Sequence, residues 1–247
     1  MKKYSILTLV FILLTVSLQN VFSQTRTQRI YNGNYTFTNV LGLNKLIGNA
    51  TYGYTDASDG SRIYNGSFEF NGKCDGSNYE VKGQFKDNKQ VGEWSWKTGG
   101  AHISMSFNDL GIVDGPFKLD FYPRSSEYNG TYSGTYKNGK IVEVTYQGDV
   151  DVPDQFGGKK IAKVYIHGHF NNKERPEGVW DYKELGTSEG TKEIIVKFAP
   201  SGEKITSGYI NQQTGDWKDY KTLNINIITE SVKSELNRCI FRSTPKI

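Results

Sequence analysis

The chain predicts an all-β fold, an antiparallel meander of repeated β-hairpins with a short C-terminal helix, and three observations lead there. Aromatic residues are abundant, with 16 Tyr, 13 Phe and 4 Trp beside 27 Gly and 19 Asn. Aromatics suit half-buried pleated surfaces, while Gly and Asn supply the positive φ of tight turns. Large apolar residues recur two apart, the period of a strand. A block made of glycine and an aromatic also recurs along the chain. The 247 residues suffice for one domain or two small ones with a sizeable core. Apolar content is 36%, below the usual range of about 45–50%. Together these features exclude a helical bundle, a membrane channel, a disulfide-dense miniprotein and a disordered tail. They name neither a reaction nor a ligand.

In chain order, residues 1–23 come first and read as a secretory signal peptide. Lys2 and Lys3 precede an uncharged apolar run from Tyr4 to Leu18, and Val21 and Ser23 occupy the −3 and −1 positions of a cleavage before Gln24. Fifteen helical residues rise about 22 Å, short of a hydrocarbon core of about 30 Å. No later segment approaches membrane-spanning length, so the mature chain is expected to be exported, whether periplasmic, cell-surface or secreted. The net charge is +4, of which Lys2 and Lys3 supply two. The remaining +2 is no electrostatic footprint for nucleic acid, and it argues against attraction to an anionic membrane surface. Export makes a disulfide between Cys74 and Cys239 chemically possible, although two buried thiols fit equally well. Sequons begin at Asn34, Asn49, Asn65 and Asn129, close to the number chance would give.

Residues 24–150 form a first run of hairpins. Tyr35 and Phe37, Phe68 and Phe70, and Trp94 and Trp96 each share one face of a strand. Asp87-Asn88, Asn138-Gly139, Asn171-Asn172 and Pro200-Ser201-Gly202 turn the chain, Asn138-Gly139 being the strongest hairpin signal. Residues 151–160 contain Pro153 and Gly157-Gly158, lack alternation, and read as a loop or hinge. Residues 161–247 resume the pattern. Strands are expected over 141–147, 160–166, 192–198 and 204–210, with Ile194 and Val196 facing one side and Ile195 and Lys197 the other. Residues 230–238 predict the terminal helix, capped by Thr229 and carrying the apolar pair Val232 and Leu236.

The block itself reads Gly83-Gln84-Phe85-Lys86-Asp87-Asn88-Lys89-Gln90-Val91-Gly92-Glu93-Trp94, then again from Gly168 to Trp180 and from Gly208 to Trp217. Each copy runs glycine, any residue, a large apolar side chain, a polar turn, then Gly-x-Trp. Half-matches start at Gly33, Gly66, Gly115 and Gly134. The pattern resembles the MORN repeat in its bacterial variants, and Tyr132-Ser133-Gly134-Thr135-Tyr136-Lys137-Asn138-Gly139-Lys140 is similar to the first half of that repeat. The glycine-to-glycine spacing here is 9, 10 and 7, where the family is regular, and Gly139-Lys140 has no closing glycine. The resemblance implies stacked hairpins in an extended, curved sheet and a scaffold or binding role without a cofactor.

Candidate chemistry is sparse. His167-Gly168-His169 puts two imidazoles on one strand face, but no third ligand follows at a recognisable spacing and His102 is distant in sequence, so no metal is expected. Glu93, Glu174, Glu177, Asp181 and Asp216 adjoin the Gly-x-Trp motifs and could serve a glycoside hydrolase. Their recurrence with the repeat is explained as well by turn and surface roles, so no catalytic residue is assigned. Trp94, Trp96, Trp180 and Trp217, with Tyr128, Tyr132, Tyr136 and Tyr182, form either an aromatic face that stacks on sugars or simply the core. The expected function is an exported, non-enzymatic interaction scaffold with a protein or glycan partner at the cell surface. The alternatives are a carbohydrate-binding protein and a glycoside hydrolase.

Overall fold

The structure, a computed structural model, describes residues 27–40, 43–74, 76–121, 129–153, 158–187, 190–210 and 217–219. The expected signal peptide, the C-terminal helix, Cys239, Tyr128 and Asp216 lie outside the described residues. Fourteen strands follow one another: β1 (Arg29–Val40), β2 (Leu43–Asp56), β3 (Arg62–Cys74), β4 (Ser77–Lys86), β5 (Lys89–Lys97), β6 (Ala101–Phe107) and β7 (Val113–Phe121). The series continues with β8 (Gly130–Lys137), β9 (Lys140–Pro153), β10 (Lys159–Phe170), β11 (Pro176–Thr187), β12 (Gly190–Phe198), β13 (Lys204–Ile210) and β14 (Trp217–Asp219). Each is hydrogen-bonded to its neighbours in sequence, and all fourteen make one open antiparallel sheet. The all-β meander is therefore the fold.

Alternation assigns the core to one face. Phe68 and Phe70, Trp94 and Trp96, Ile103 and Met105, Val164 and Ile166, and Ile194 and Val196 point inward and are essentially solvent-free. Ile195 and Lys197 face outward as expected. A single flat sheet would leave that face wet, so the sheet must curve around its own aromatic side chains. The rings lean across intervening strands. Phe37 of β1 and Phe70 of β3 have centroids 4.7 Å apart, where strands two apart in a flat sheet are separated by about 9.6 Å. Gly48 on β2 makes this possible, because a Cβ there would sit 2.7 Å from the Phe70 ring.

The recurring Gly-x-Trp is a bulge. Gly92, Glu93 and Trp94 all stand between the pairs Gln84↔Val91 and Lys82↔Ser95, where β4 offers only Gly83. On β10 and β11, Gly168 likewise faces Gly178, Val179 and Trp180. Gly92 and Gly178 take the left-handed conformation at φ 67° and 72°. Each indole then lies flat over the glycine opposite: a Cβ would meet Trp94 Cδ2 at 2.1 Å on Gly83 and Trp180 Cδ2 at 1.9 Å on Gly168. The ring nitrogen of Trp94 donates to the Gln84 carbonyl and that of Trp180 to the His169 carbonyl, both at 3.1 Å. The difference in spacing between these blocks is absorbed by their turns. The third block is not equivalent, since Gly208 pairs with Asp219 and Trp217 with Ile210.

Two turn types recur among the described hairpins. Residues 57–61, 108–112, 171–175 and 199–203 form the same loop, in which the first amide donates to the fifth carbonyl and the fourth amide to the first carbonyl. The fourth residue is left-handed in every copy: Gly60, Gly111, Glu174 and Gly202. Asp87-Asn88 and Asn138-Gly139 instead make two-residue turns with positive φ at both positions. These turns dock on the strand preceding their own hairpin, the Asn88 amide on the Tyr64 carbonyl of β3 at 3.1 Å and the Gly139 amide on the Val113 carbonyl of β7 at 2.7 Å. Ala57 and Asn108 are 51 residues apart, as are Asn88 and Gly139. In this part of the chain the structural unit is thus a pair of hairpins, larger than the single hairpin visible in the glycine–aromatic block.

The ends of the expected loop at 151–160 are paired, while residues 154–157 lie outside the described residues. Asp151 pairs with Ile161, Val152 with Lys160 and Pro153 with Lys159, so β9 and β10 run on as a ladder where a loop or hinge was expected. The sheet therefore continues through this segment instead of being divided by it. Lack of apolar alternation misleads here because the ladder is held by backbone hydrogen bonds, which polar residues make equally well.

Candidate functional site

The aromatic residues weighed as a sugar-binding face line the interior. Trp94, Trp96, Trp180, Tyr136 and Tyr182 are at most 6% exposed. Their faces stack on other rings: Trp94 packs on Trp96 at 5.9 Å and edge-on to Phe85 at 4.9 Å, and Trp180 meets Phe170 at 5.2 Å. The Tyr182 hydroxyl donates to the buried Glu184 carboxylate at 3.3 Å. Tyr132 is partly buried and packs on Tyr146 at 4.4 Å. Of the two readings open for these five residues, exposed face or core, burial selects the core, and the glycine bulges fold the Trp94 and Trp180 indoles over bare backbone. Trp217 is placed on β14, with its side chain outside the described residues. Cys74 is partly buried and packs against the core. Burial pushes the Tyr35, Tyr64 and Tyr146 hydroxyls well above the ordinary tyrosine range, as expected of interior phenols.

Chemistry is therefore left to the outer face. On β10, Ala162, Val164, Ile166 and Phe170 point inward, which turns His167 and His169 outward on the one face their spacing gave them. Their rings stand edge to face at 5.1 Å. The structure adds a third group that the sequence did not disclose. Glu143 on β9 lies directly opposite His169, and its Oε1 is 3.8 Å from His167 Nε2. Ligand atoms of Glu143, His167 and His169 all fall within 4.8 Å of one another. A bulge is the reason. Val142 is the extra residue between the β8–β9 pairs Tyr136↔Ile141 and Thr135↔Glu143. Inward positions thus shift from Ile141 to Val144 and Tyr146, and Glu143 swings outward. Unbroken alternation from Ile141 would have put Glu143 inside.

Two threonines orient the group. Thr145, opposite His167, shares a 3.0 Å hydrogen bond with His167 Nδ1, which leaves Nε2 directed at the carboxylate. Thr135 donates to Glu143 Oε2 at 3.5 Å. On the other side, Asp181 is opposite His167 and Glu177 opposite His169 on β11. His102 stands on β6, four strands from β10, and does not join them. The carboxylates considered for glycoside hydrolysis are scattered: Glu93 is on β5, six strands from Glu177 and Asp181, and Glu174 belongs to a turn.

No family model matches the chain, and no curated protein matches it significantly.

Elsewhere the outer face carries charge cross-links beside isolated exposed apolar residues such as Ile47 and Ile161. Lys82 bridges Glu80 at 2.7 Å and Glu69 at 3.3 Å, and Lys183 meets Glu193 at 2.7 Å. Asp120 is the buried exception. Burial alone would raise its pKa, but the Lys118 ammonium and the Thr131 hydroxyl, at 2.9 and 2.8 Å, hold it below the usual carboxylate range. Among the described residues no helix is long and apolar enough to cross a membrane.

Proposed function

We propose that this chain is an exported, non-enzymatic β-repeat protein of the bacterial MORN-like kind, acting as an interaction scaffold at or beyond the cell envelope. The observation that carries the reading is the division of labour between the two faces. Buried aromatics occupy one face from β1 to β12, while alternate residues of those strands make the opposite face, which is largely polar with isolated exposed apolar residues such as Ile47 and Ile161. A broad polar surface on a self-contained sheet suits contact with a protein or glycan partner better than enclosure of a small substrate. The apolar run and the Val21/Ser23 pattern before Gln24 support export.

The test has two parts. Expression of the full chain in a bacterium should yield an exported product whose N-terminus is Gln24. That product should bind isolated cell envelopes, and the binding should weaken in the outer-face charge reversal Lys82→Glu but not in the conservative core change Ile194→Val. Retention in the cytoplasm would overturn the export reading, and absence of envelope binding would overturn the scaffold. Turnover of any polysaccharide by the purified protein would overturn the non-enzymatic assignment.

A further inference from the structure

We propose that Glu143, His167 and His169 form a site for one divalent transition-metal ion, zinc first among them, on the outer face of β9 and β10. The inference is independent of the scaffold reading. Two imidazoles and one carboxylate are a ligand set suited to zinc, copper or nickel and poorly suited to calcium or magnesium, which prefer all-oxygen shells. Tetrahedral zinc with bonds of about 2.1 Å holds its ligand atoms about 3.4 Å apart. Here the three ligand atoms already lie within 4.8 Å of one another, and His167 Nε2 and Glu143 Oε1 are 3.8 Å apart. Changes in side-chain rotamer close that gap without moving the ladder.

The surroundings are those of a metal site. The Thr145 hydrogen bond to His167 Nδ1 fixes the ring so that Nε2 faces the carboxylate. Thr135 holds the second carboxylate oxygen, leaving Oε1 for the ion. All three ligands project from paired strands, where backbone hydrogen bonds hold their spacing. Asp181 and Glu177, opposite the two histidines, add negative charge beside the site. Three protein ligands on a solvent-facing surface leave a fourth position open to water or to a donor group from a partner.

Calorimetric titration of the untagged protein with zinc chloride should show one tight site per chain that millimolar calcium or magnesium does not displace. Cobalt in place of zinc should give the visible absorption of tetrahedral coordination. His167→Ala and His169→Ala should each weaken zinc binding at least a hundredfold, and Glu143→Gln about tenfold, with metal-free thermal unfolding unchanged. His102→Ala is the control and should bind as the parent does. Loss of binding in His102→Ala, retention of it in the double variant His167→Ala/His169→Ala, or no binding by the parent would each overturn the proposal. If an alanine variant unfolds, the test passes to His169→Gln, which keeps a polar side chain at the same strand position.

Discussion

Gly83 and Gly168 each lie beneath an indole, with no room for a methyl group. Gly168→Ala should therefore destabilise the protein by about 3 kcal/mol, because the added carbon must displace the Trp180 ring from its bed. Urea unfolding followed by tryptophan fluorescence would measure it, and a cost below about 0.5 kcal/mol would refute the packing account. Ala at Gly60, where nothing lies within 4 Å, meets no such contact, and its cost is that of the left-handed backbone alone. This scale also shows how unevenly the sequence disclosed the site. Gly83, Trp94, Gly168 and Trp180 were legible as a pattern because one geometry repeats. That His167 and His169 share one face was legible from their two-residue spacing. Glu143 was not, because its direction depends on the bulge at Val142, and a bulge leaves no mark in an otherwise regular Ile-Val-Glu-Val run. Trp94 and Trp96 could be read either as core or as a binding face, since alternation says which residues share a side but not which side meets water.

The four five-residue loops set up a comparison among elements. Three carry glycine at the left-handed fourth position and one carries Glu174, at φ 55°. Non-glycine residues in that conformation are disfavoured by roughly 1–2 kcal/mol. Glu174→Gly is thus expected to raise stability by about 1 kcal/mol after the extra freedom of glycine in the unfolded chain is offset. A lower melting temperature in this variant would show that the Glu174 side chain contributes more than its backbone costs. At the junction of β6, β7 and β8, Asp120 makes a pH prediction. Its folded pKa is depressed, so its contribution is complete above the unfolded value near 4 and is lost as pH falls through the folded one. Asp120→Asn should be less stable than the parent at pH 7, and the difference should shrink on acidification below pH 4. A difference constant with pH would mean that the carboxylate charge is not what Lys118 and Thr131 hold. Strand identity was largely legible at this scale, whereas strand ends were not. β9 and β10 continue to Pro153 and Lys159 because pairing, once begun, extends through polar residues.

Among the described residues every strand pairs only with its chain neighbours, so the sheet is close to one-dimensional. Damage should then spread locally. Hydrogen exchange on the Gly168→Ala protein should accelerate in β9 to β12 and remain at parental rates in β2 to β4. Equal acceleration throughout would indicate a single cooperative unit. The meander itself was readable from the sequence because sequential hairpins need only local turn signals and period-two alternation. The 51-residue pairing of hairpins was not, since it rests on backbone contacts between a turn and the strand preceding its hairpin, such as Asn88 to Tyr64 and Gly139 to Val113.

That neighbour-only order also bears on how such a chain can change over generations. Where each strand hydrogen-bonds just the one before and the one after, and its rings reach only as far as the strand beyond, a duplicated or deleted pair of hairpins disturbs contacts only around one seam. Length becomes an inheritable dial that gene duplication can turn, lengthening or shortening the outer surface while each surviving segment keeps its fold. The irregular third block, with Gly208 and Trp217 out of step, is then what descent from copies would leave once one of them has drifted from the pattern.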